Sequence, residues 1–201
     1  MRKGCKPMDL STKTIGFAMT GSFCTLQGVI KELEAFSKTG ADIVPIMSEI
    51  VWSTDTRFGK CEEFKKRVRE ITGKEIIHDI RGAEPIGPQK LLDALVIAPC
   101  TGNTLSKIAN ATTDSCVAMA AKANLRNKAP LIIAISTNDG LSGSAKNLGI
   151  LLERKNVYFV PFGQDNPVKK PDSLVANMSL IGETVAAALE KYQIQPILSR
   201  Q

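Results

Sequence analysis

Two runs in this chain, Ala94-Leu-Val-Ile-Ala98 and Leu131-Ile-Ile-Ala-Ile135, are apolar at every position instead of every second one. A strand of that kind exposes neither face, so helices must cover its sheet on both sides. Weaker strand patterns fall at 14–19, 42–47, 75–80 and 157–160, and the two strong ones extend over 94–98 and 130–136. Helical periodicity occupies the intervals: 24–39, a stretch ending near Thr72, a short piece at 88–92, then 115–126, 144–155 and 172–192. Gly40 is placed to stop the first of these helices. Six strands separated by helices predict an α/β fold, a three-layer αβα sandwich around a mostly parallel six-stranded sheet, Rossmann/flavodoxin-like in plan. At 201 residues the chain suffices for one well-buried core and shows no linker, so residues 1–201 are expected to form one domain.

In such a sheet, loops leaving the carboxyl ends of the strands collect the ligand. Four of these loops are rich in small polar groups: Thr20-Gly-Ser22, Ser48, Thr101-Gly-Asn-Thr104, and Ser136-Thr-Asn-Asp139. The segment 94–110 is the most informative. Its apolar strand reaches Pro99, crosses a loop of hydroxyl, glycine and amide groups, and re-enters a helix with Leu105, Ile108 and Ala109 on one face. Free backbone N–H groups and the positive end of a helix there suit a phosphate. The same residues also fit a plain turn made by Pro99 and Gly102, with Asn103 as a cap. Neither GxGxxG after the first strand nor GxxxxGK[ST] occurs. Hydroxyls and N–H groups without a dedicated lysine fit a singly phosphorylated cofactor such as FMN.

Composition excludes several other classes. The net charge of +6 could indicate nucleic acid, but the densest basic stretch, 65–69, is flanked by Glu62, Glu63 and Glu70 and reads as the solvated face of an amphipathic helix. Its ten aromatic residues, seven Phe, two Tyr and one Trp, do not interleave with basic runs, so no nucleic-acid partner is expected. A basic surface suits an anionic small molecule or an acidic protein partner. Five cysteines (Cys5, Cys24, Cys61, Cys100, Cys116), no CxxC pair and one histidine point to neither a disulfide framework nor a metal site. Cys24 and Cys100 read as small buried residues. No run resembles a signal peptide or a membrane span, so a cytoplasmic protein with no membrane partner is expected.

Thr20-Gly-Ser22, the loop Ala98-Pro-Cys-Thr-Gly-Asn-Thr104 with Lys107-Ile-Ala-Asn110, and Asn138 after the fifth predicted strand resemble the superfamily of FMN-binding cysteine decarboxylase-like flavoproteins. The resemblance covers about 14–160 of the sequence and is most specific in the middle loop. It implies an FMN site made by Thr20, Gly21, Ser22, Ser48, Pro99, Thr101, Gly102, Asn103 and Thr104. It also gives Asn138 a substrate-binding place among the catalytic residues, and implies a homo-oligomer. Further segments, 47–59, 84–88 and 114–119, are similar to a branch of the family found in spore-forming bacteria. Members of that branch act as one of two subunits in the aromatising oxidation of a cyclic dicarboxylate, which implies a small anionic dicarboxylate substrate and a partner chain carrying a nicotinamide, NAD(P), site.

The sequence departs from the decarboxylases at two places. Their active-site histidine precedes the Ala-Pro of the middle loop at a spacing where this chain has Pro85 and Ile86, and its one histidine, His78, lies farther upstream. Their Pro-Ala-Met-Asn motif is replaced by Ile135-Ser-Thr-Asn138, which keeps only the asparagine. His78 follows Ile76-Ile77 with only Asp79 nearby and reads as structural. Retention of the flavin cradle without the histidine favours oxidation alone. Lys107 and Arg57 could add positive charge at the site. Other readings are an FMN-dependent decarboxylase of a cysteine-like substrate, a non-catalytic scaffolding protein, and a flavin prenyltransferase.

Overall fold

The computed structural model describes residues 9–199. Cys5 and the basic N-terminal stretch lie outside them. The chain runs β1 (Thr14–Met19), α1 (Phe23–Ser37), β2 (Asp42–Met47), α2 (Glu49–Ser53), α3 (Cys61–Thr72) and α4 (Ile80–Ala83), the last continued by a 3-10 turn at Glu84–Ile86. It continues through β3 (Ala94–Cys100), α5 (Gly102–Ala109), α6 (Cys116–Arg126), β4 (Leu131–Thr137), α7 (Ala145–Leu152), β5 (Val157–Phe159), β6 (Phe162–Asn166), β7 (Lys170–Ala176) and α8 (Ile181–Leu189). The sheet order is β2-β1-β3-β4-β7-β6, with β5 paired to β4.

The two wholly apolar runs form β3 and β4 at the centre. All seven residues of β3 are buried, as are Leu131 through Ser136. β1, β2, β3, β4 and β5 are mutually parallel where they pair, which brings their following loops to one edge. Helices supply the covering layers: Leu26, Val29, Ile30, Leu33 and Phe36 of α1 join the same core as Val117, Ala120 and Ala121 of α6. Gly40, at φ +79°, turns the chain from α1 towards β2, a backbone conformation that favours glycine.

Four sequence expectations are corrected. The sheet has seven strands, not six. Residues 75–80 do not form a strand, and Ile77 makes only an isolated bridge to Ile46. The helix expected over 172–192 is restricted to Ile181–Leu189, because 162–176 form an antiparallel hairpin, β6–β7. β4 accommodates this by changing partners along its length. Leu131 to Ile133 pair in parallel with β5, whereas Ser136 and Thr137 pair antiparallel with Val175 and Leu174 of β7. The short helix expected at 88–92 is absent, and helical turns lie just before it in α4 and Glu84–Ile86. Pro88 satisfies the first-turn rule but no continuing periodic apolar face follows it, so nothing holds a helix there.

The solvated basic helix is also more specific than its charge pattern suggests. Phe64 and Val68 of α3 are buried as the periodicity requires, but so is Lys65. Its ammonium lies 4.0 Å from the centre of the Trp52 ring and 2.6 Å from Glu62. Ile133 is fully buried at the centre of β4. Ile133→Ala is expected to destabilise the fold by about 2–5 kcal/mol through lost burial and the cavity left behind, read as a lower urea midpoint with an unchanged slope.

Candidate functional site

The polar loops meet at the carboxyl edge of β1, β2, β3 and β4, and one residue ties two of them together. Thr20 is 1% exposed. Its N–H and its hydroxyl both donate to the Pro99 carbonyl, at 3.2 and 2.7 Å, and its Oγ1 accepts the Thr101 N–H at 3.0 Å. The loops after β1 and β3 therefore sit at a fixed spacing. Thr101 caps α5 by accepting the Thr104 N–H at 3.3 Å and donates to the Thr104 hydroxyl at 3.2 Å. In the first turn of α5, the N–H groups of Gly102 and Asn103 have no partner within the helix.

Gly102 is required by a close approach. A Cβ there would lie 2.6 Å from the Ser144 hydroxyl and 2.7 Å from both Asp139 Oδ1 and Thr137 Oγ1. Those groups form a network of their own, in which Thr137 donates to Asp139 at 2.5 Å and Ser144 donates to its other oxygen at 3.0 Å. The loop after β4 is thus packed directly against the start of α5. Between the first and fourth loops, Ser136 Oγ lies 2.8 Å from Ser22 Oγ and 3.3 Å from Thr25 Oγ1.

Two cavities flank this junction. One, of about 500 Å³, is lined by Thr20, Gly21, Ser48, Glu49, Thr101, Asn103, Thr104 and Lys107, among others. The other, of about 680 Å³, is lined by Gly21, Ser22, Cys24, Arg57, Thr101, Asn138 and Lys170, among others. Gly21 and Thr101 belong to both, so the two adjoin. The Ser48 hydroxyl, in the wall of the first, is buried and makes no hydrogen bond. A buried hydroxyl without a partner costs on the order of 1–3 kcal/mol, which a polar ligand atom would offset.

Of the residues expected to hold a cofactor, Thr20, Gly21, Ser48, Thr101, Asn103 and Thr104 come together in the first cavity. Ser22 and Asn138 face the second. Pro99 and Gly102 line neither, and contribute through a carbonyl and through close packing. Lys107 reaches the first cavity but is paired with Asp114 at 2.8 Å, an interaction that holds the Asp114 carboxyl below its usual range. His78 lines neither cavity and stacks on Trp52, with ring centres 3.8 Å apart and planes 9° from parallel.

Three groups were not singled out from the sequence. Glu49 stands at the first cavity, one oxygen accepting the Cys116 N–H at 2.8 Å. Asp165 and Lys170 come from the β6–β7 hairpin, which walls the second cavity. The alternation in β7 was obscured by a run of polar residues at its start, so nothing in the local pattern announced it. Cys24 is exposed in the first turn of α1, not buried as expected, whereas Cys100 and Cys116 are buried. Burial pushes the Cys116 thiol up to about 12, and raises Cys100 further.

A flavoprotein family model matches residues 5–192 of this chain. The sequence is 50% identical to the B subunit of dipicolinate synthase from Bacillus subtilis (strain 168) over 190 residues, 94% of this chain and 95% of that protein. The structure is similar to the crystal structure of the B subunit of dipicolinate synthase from Bacillus halodurans C, at a TM-score of 0.89 and 46% identity over 96% of this chain and 100% of that one. It shares its fold with the FMN-dependent cysteine decarboxylase SpaF, at a TM-score of 0.65 and 16% identity over 90% of this chain and 98% of that one. Among the described residues, no helix is long and apolar enough to cross a membrane.

Two measurements test this arrangement. Thr20→Val removes the hydroxyl joining the two loops and is expected to lower stability by about 1–3 kcal/mol in a denaturant titration. In native protein at pH 8, iodoacetamide should label the Cys24 peptide well before those of Cys100 and Cys116, as peptide mass spectrometry will show. A thiol raised above its ordinary value of 9.0 favours the folded state while it remains protonated. That contribution is therefore complete below pH 9 and declines as pH rises towards about 12.

Proposed function

The chain belongs to the flavoprotein family, and from that premise we propose that it is the FMN-binding subunit of a dipicolinate synthase. In this reading it oxidises dihydrodipicolinate to dipicolinic acid during sporulation, in the mother-cell cytoplasm of a spore-forming bacterium. It works with a companion chain, the A subunit of dipicolinate synthase, which carries the NAD(P) site. In this reading the chain is a single flavoprotein-like domain that associates with copies of itself. The observation that carries the proposal is the hydroxyl-walled cavity of about 500 Å³, with its buried, unpartnered Ser48 Oγ, opening beside a second groove that holds Asn138. Similarity to two B subunits of that enzyme over nearly the whole chain supports the choice of reaction.

The residues fit a monophosphorylated flavin. Ser48, Thr101, Asn103 and Thr104 would hold its phosphate and neighbouring hydroxyls, together with the N–H groups at the start of α5, with Thr20 fixing the loops and Gly21 leaving room between the two cavities. Gly102 and Pro99 set the loop geometry without touching the ligand. When bound, FMN supplies a two-electron acceptor, and conversion of the dihydro substrate to the aromatic product releases two electrons and two protons. Asn138 would donate its amide N–H to a substrate carboxylate in the adjoining groove. Because His78 is held against Trp52 and lines neither cavity, no catalytic part is assigned to it.

The purified chain should be yellow, with flavin absorption bands corresponding to about one FMN per chain. Asn103→Ala should lose those bands while keeping the wild-type circular dichroism. Dipicolinate formation from dihydrodipicolinate should require this chain and its companion together. If the chain stays colourless both by itself and with the companion, the flavin reading fails. If the companion reaches the full rate without this chain, the scaffolding reading replaces it.

A further inference from the structure

The groove of about 680 Å³ brings together two cations from widely separated parts of the chain. Arg57 comes from the segment between α2 and α3, on the β2 side of the sheet, and Lys170 comes from the first residue of β7, beyond β4 in the strand order. Asn138 lies between those two sources in the sheet, at the end of β4.

Arg57 is presented by a built turn. Thr56 and Gly59 exchange backbone hydrogen bonds, each 3.1 Å long, across Arg57 and Phe58. Gly59 takes φ +146°, and a Cβ there would lie 2.7 Å from the Phe64 ring, so the turn needs glycine. Gln27 of α1 donates to the Phe58 carbonyl at 2.8 Å and anchors the tip. The guanidinium lies 4.8 Å from the Phe58 ring centre, a contact that leaves its hydrogen-bond donors unused. Among the described residues Arg57 has no carboxylate partner.

Lys170 has one, Asp165, at 2.8 Å across the hairpin. The pair is exposed, 55% and 39% for the two side chains, and such pairs contribute little because water and salt screen them. A ligand carboxylate can take the place of Asp165 at small cost. The groove thus offers one unpaired cation, one cation already holding a carboxylate, and an amide donor between.

We propose that Arg57 and Lys170 each bind one carboxylate of a planar dicarboxylate, with Asp165 occupying the Lys170 end until the ligand displaces it, and that these two residues set the preference for a dianion over a monoanion. The inference rests on the proposed function, since it assigns the substrate end of that same site, and adds a specificity determinant on a hairpin that the cofactor does not need.

The test is calorimetric titration of the full-length, FMN-supplemented protein in metal-free buffer with dipicolinate, which has two carboxylates, and picolinate, which has one. Wild type is expected to bind dipicolinate on the order of ten-fold to a hundred-fold more tightly, the range for one added charge-assisted contact. Arg57→Gln and Lys170→Gln should each bring dipicolinate down to picolinate-like affinity with FMN uptake unchanged. Asp165→Asn, which removes the competing carboxylate, should tighten dipicolinate binding. Equal affinity for the two ligands in wild type, no loss of preference in either glutamine variant, or weaker dipicolinate binding in Asp165→Asn overturns the assignment. If the preference and its loss are observed but this chain and its companion together form no dipicolinate, the oxidation reading fails and the dicarboxylate site stands. If dipicolinate forms while the glutamine variants retain full preference, the reverse holds.

Discussion

The hydroxyl of Thr20, a buried residue, donates to the Pro99 carbonyl and accepts the Thr101 N–H. Both cavities depend on that link. It fixes the loop after β1 against the loop after β3, so that Gly21 and Thr101 form a common partition with space on either side. Parallel strands deliver the loops to one edge, but parallel pairing does not set how far apart their ends lie. A buried two-way hydrogen bond does, because breaking it strands the Thr101 N–H without a partner and leaves the Pro99 carbonyl only the longer bond from the Thr20 N–H. Gly102 completes the junction by letting the start of α5 rest on the Asp139 network after β4.

The partition gives the proposed chemistry two compartments of different character. The first has hydroxyls, an amide and the start of a helix, with its one lysine already neutralised by Asp114. That suits a phosphate and polyol held mainly by hydrogen bonds. The second has exposed cations and Asn138. That suits a carboxylated substrate. Glu49 places negative charge at the first compartment, held by the Cys116 N–H, so a second anion is favoured more in the groove than beside the cofactor.

The one histidine of the sequence, His78, is built into the packing beside β2 and lines neither cavity. His78 lies flat on Trp52, with Lys65 4.0 Å from the same ring and Arg69 5.7 Å from it. A tryptophan between an imidazole and two cations is a packing arrangement that closes α3 over the β2 edge. It leaves the imidazole without a catalytic partner and away from both cavities.

Much of the fold was legible because its signals are local. Continuous apolar runs required β3 and β4 to be buried on both faces, glycine marked the end of α1, and the hydroxyl-rich loops after the strands marked the edge at which the two cavities lie. The 75–80 segment and the β6–β7 hairpin were misread for a common reason. A strand is defined by its partner's hydrogen bonds, and neither the failure of Ile77 to pair beyond one bridge nor the turn of Ser136 and Thr137 towards β7 is written in the segments themselves. By itself the sequence determined an α/β chain with a polar, phosphate-suited edge. Tertiary structure alone decided that this edge is split into two cavities and that Arg57 and Lys170, far apart along the chain, share one of them. Side-chain type and spacing act along the chain, whereas a site is a property of distances through space, and those are set by which strands pair.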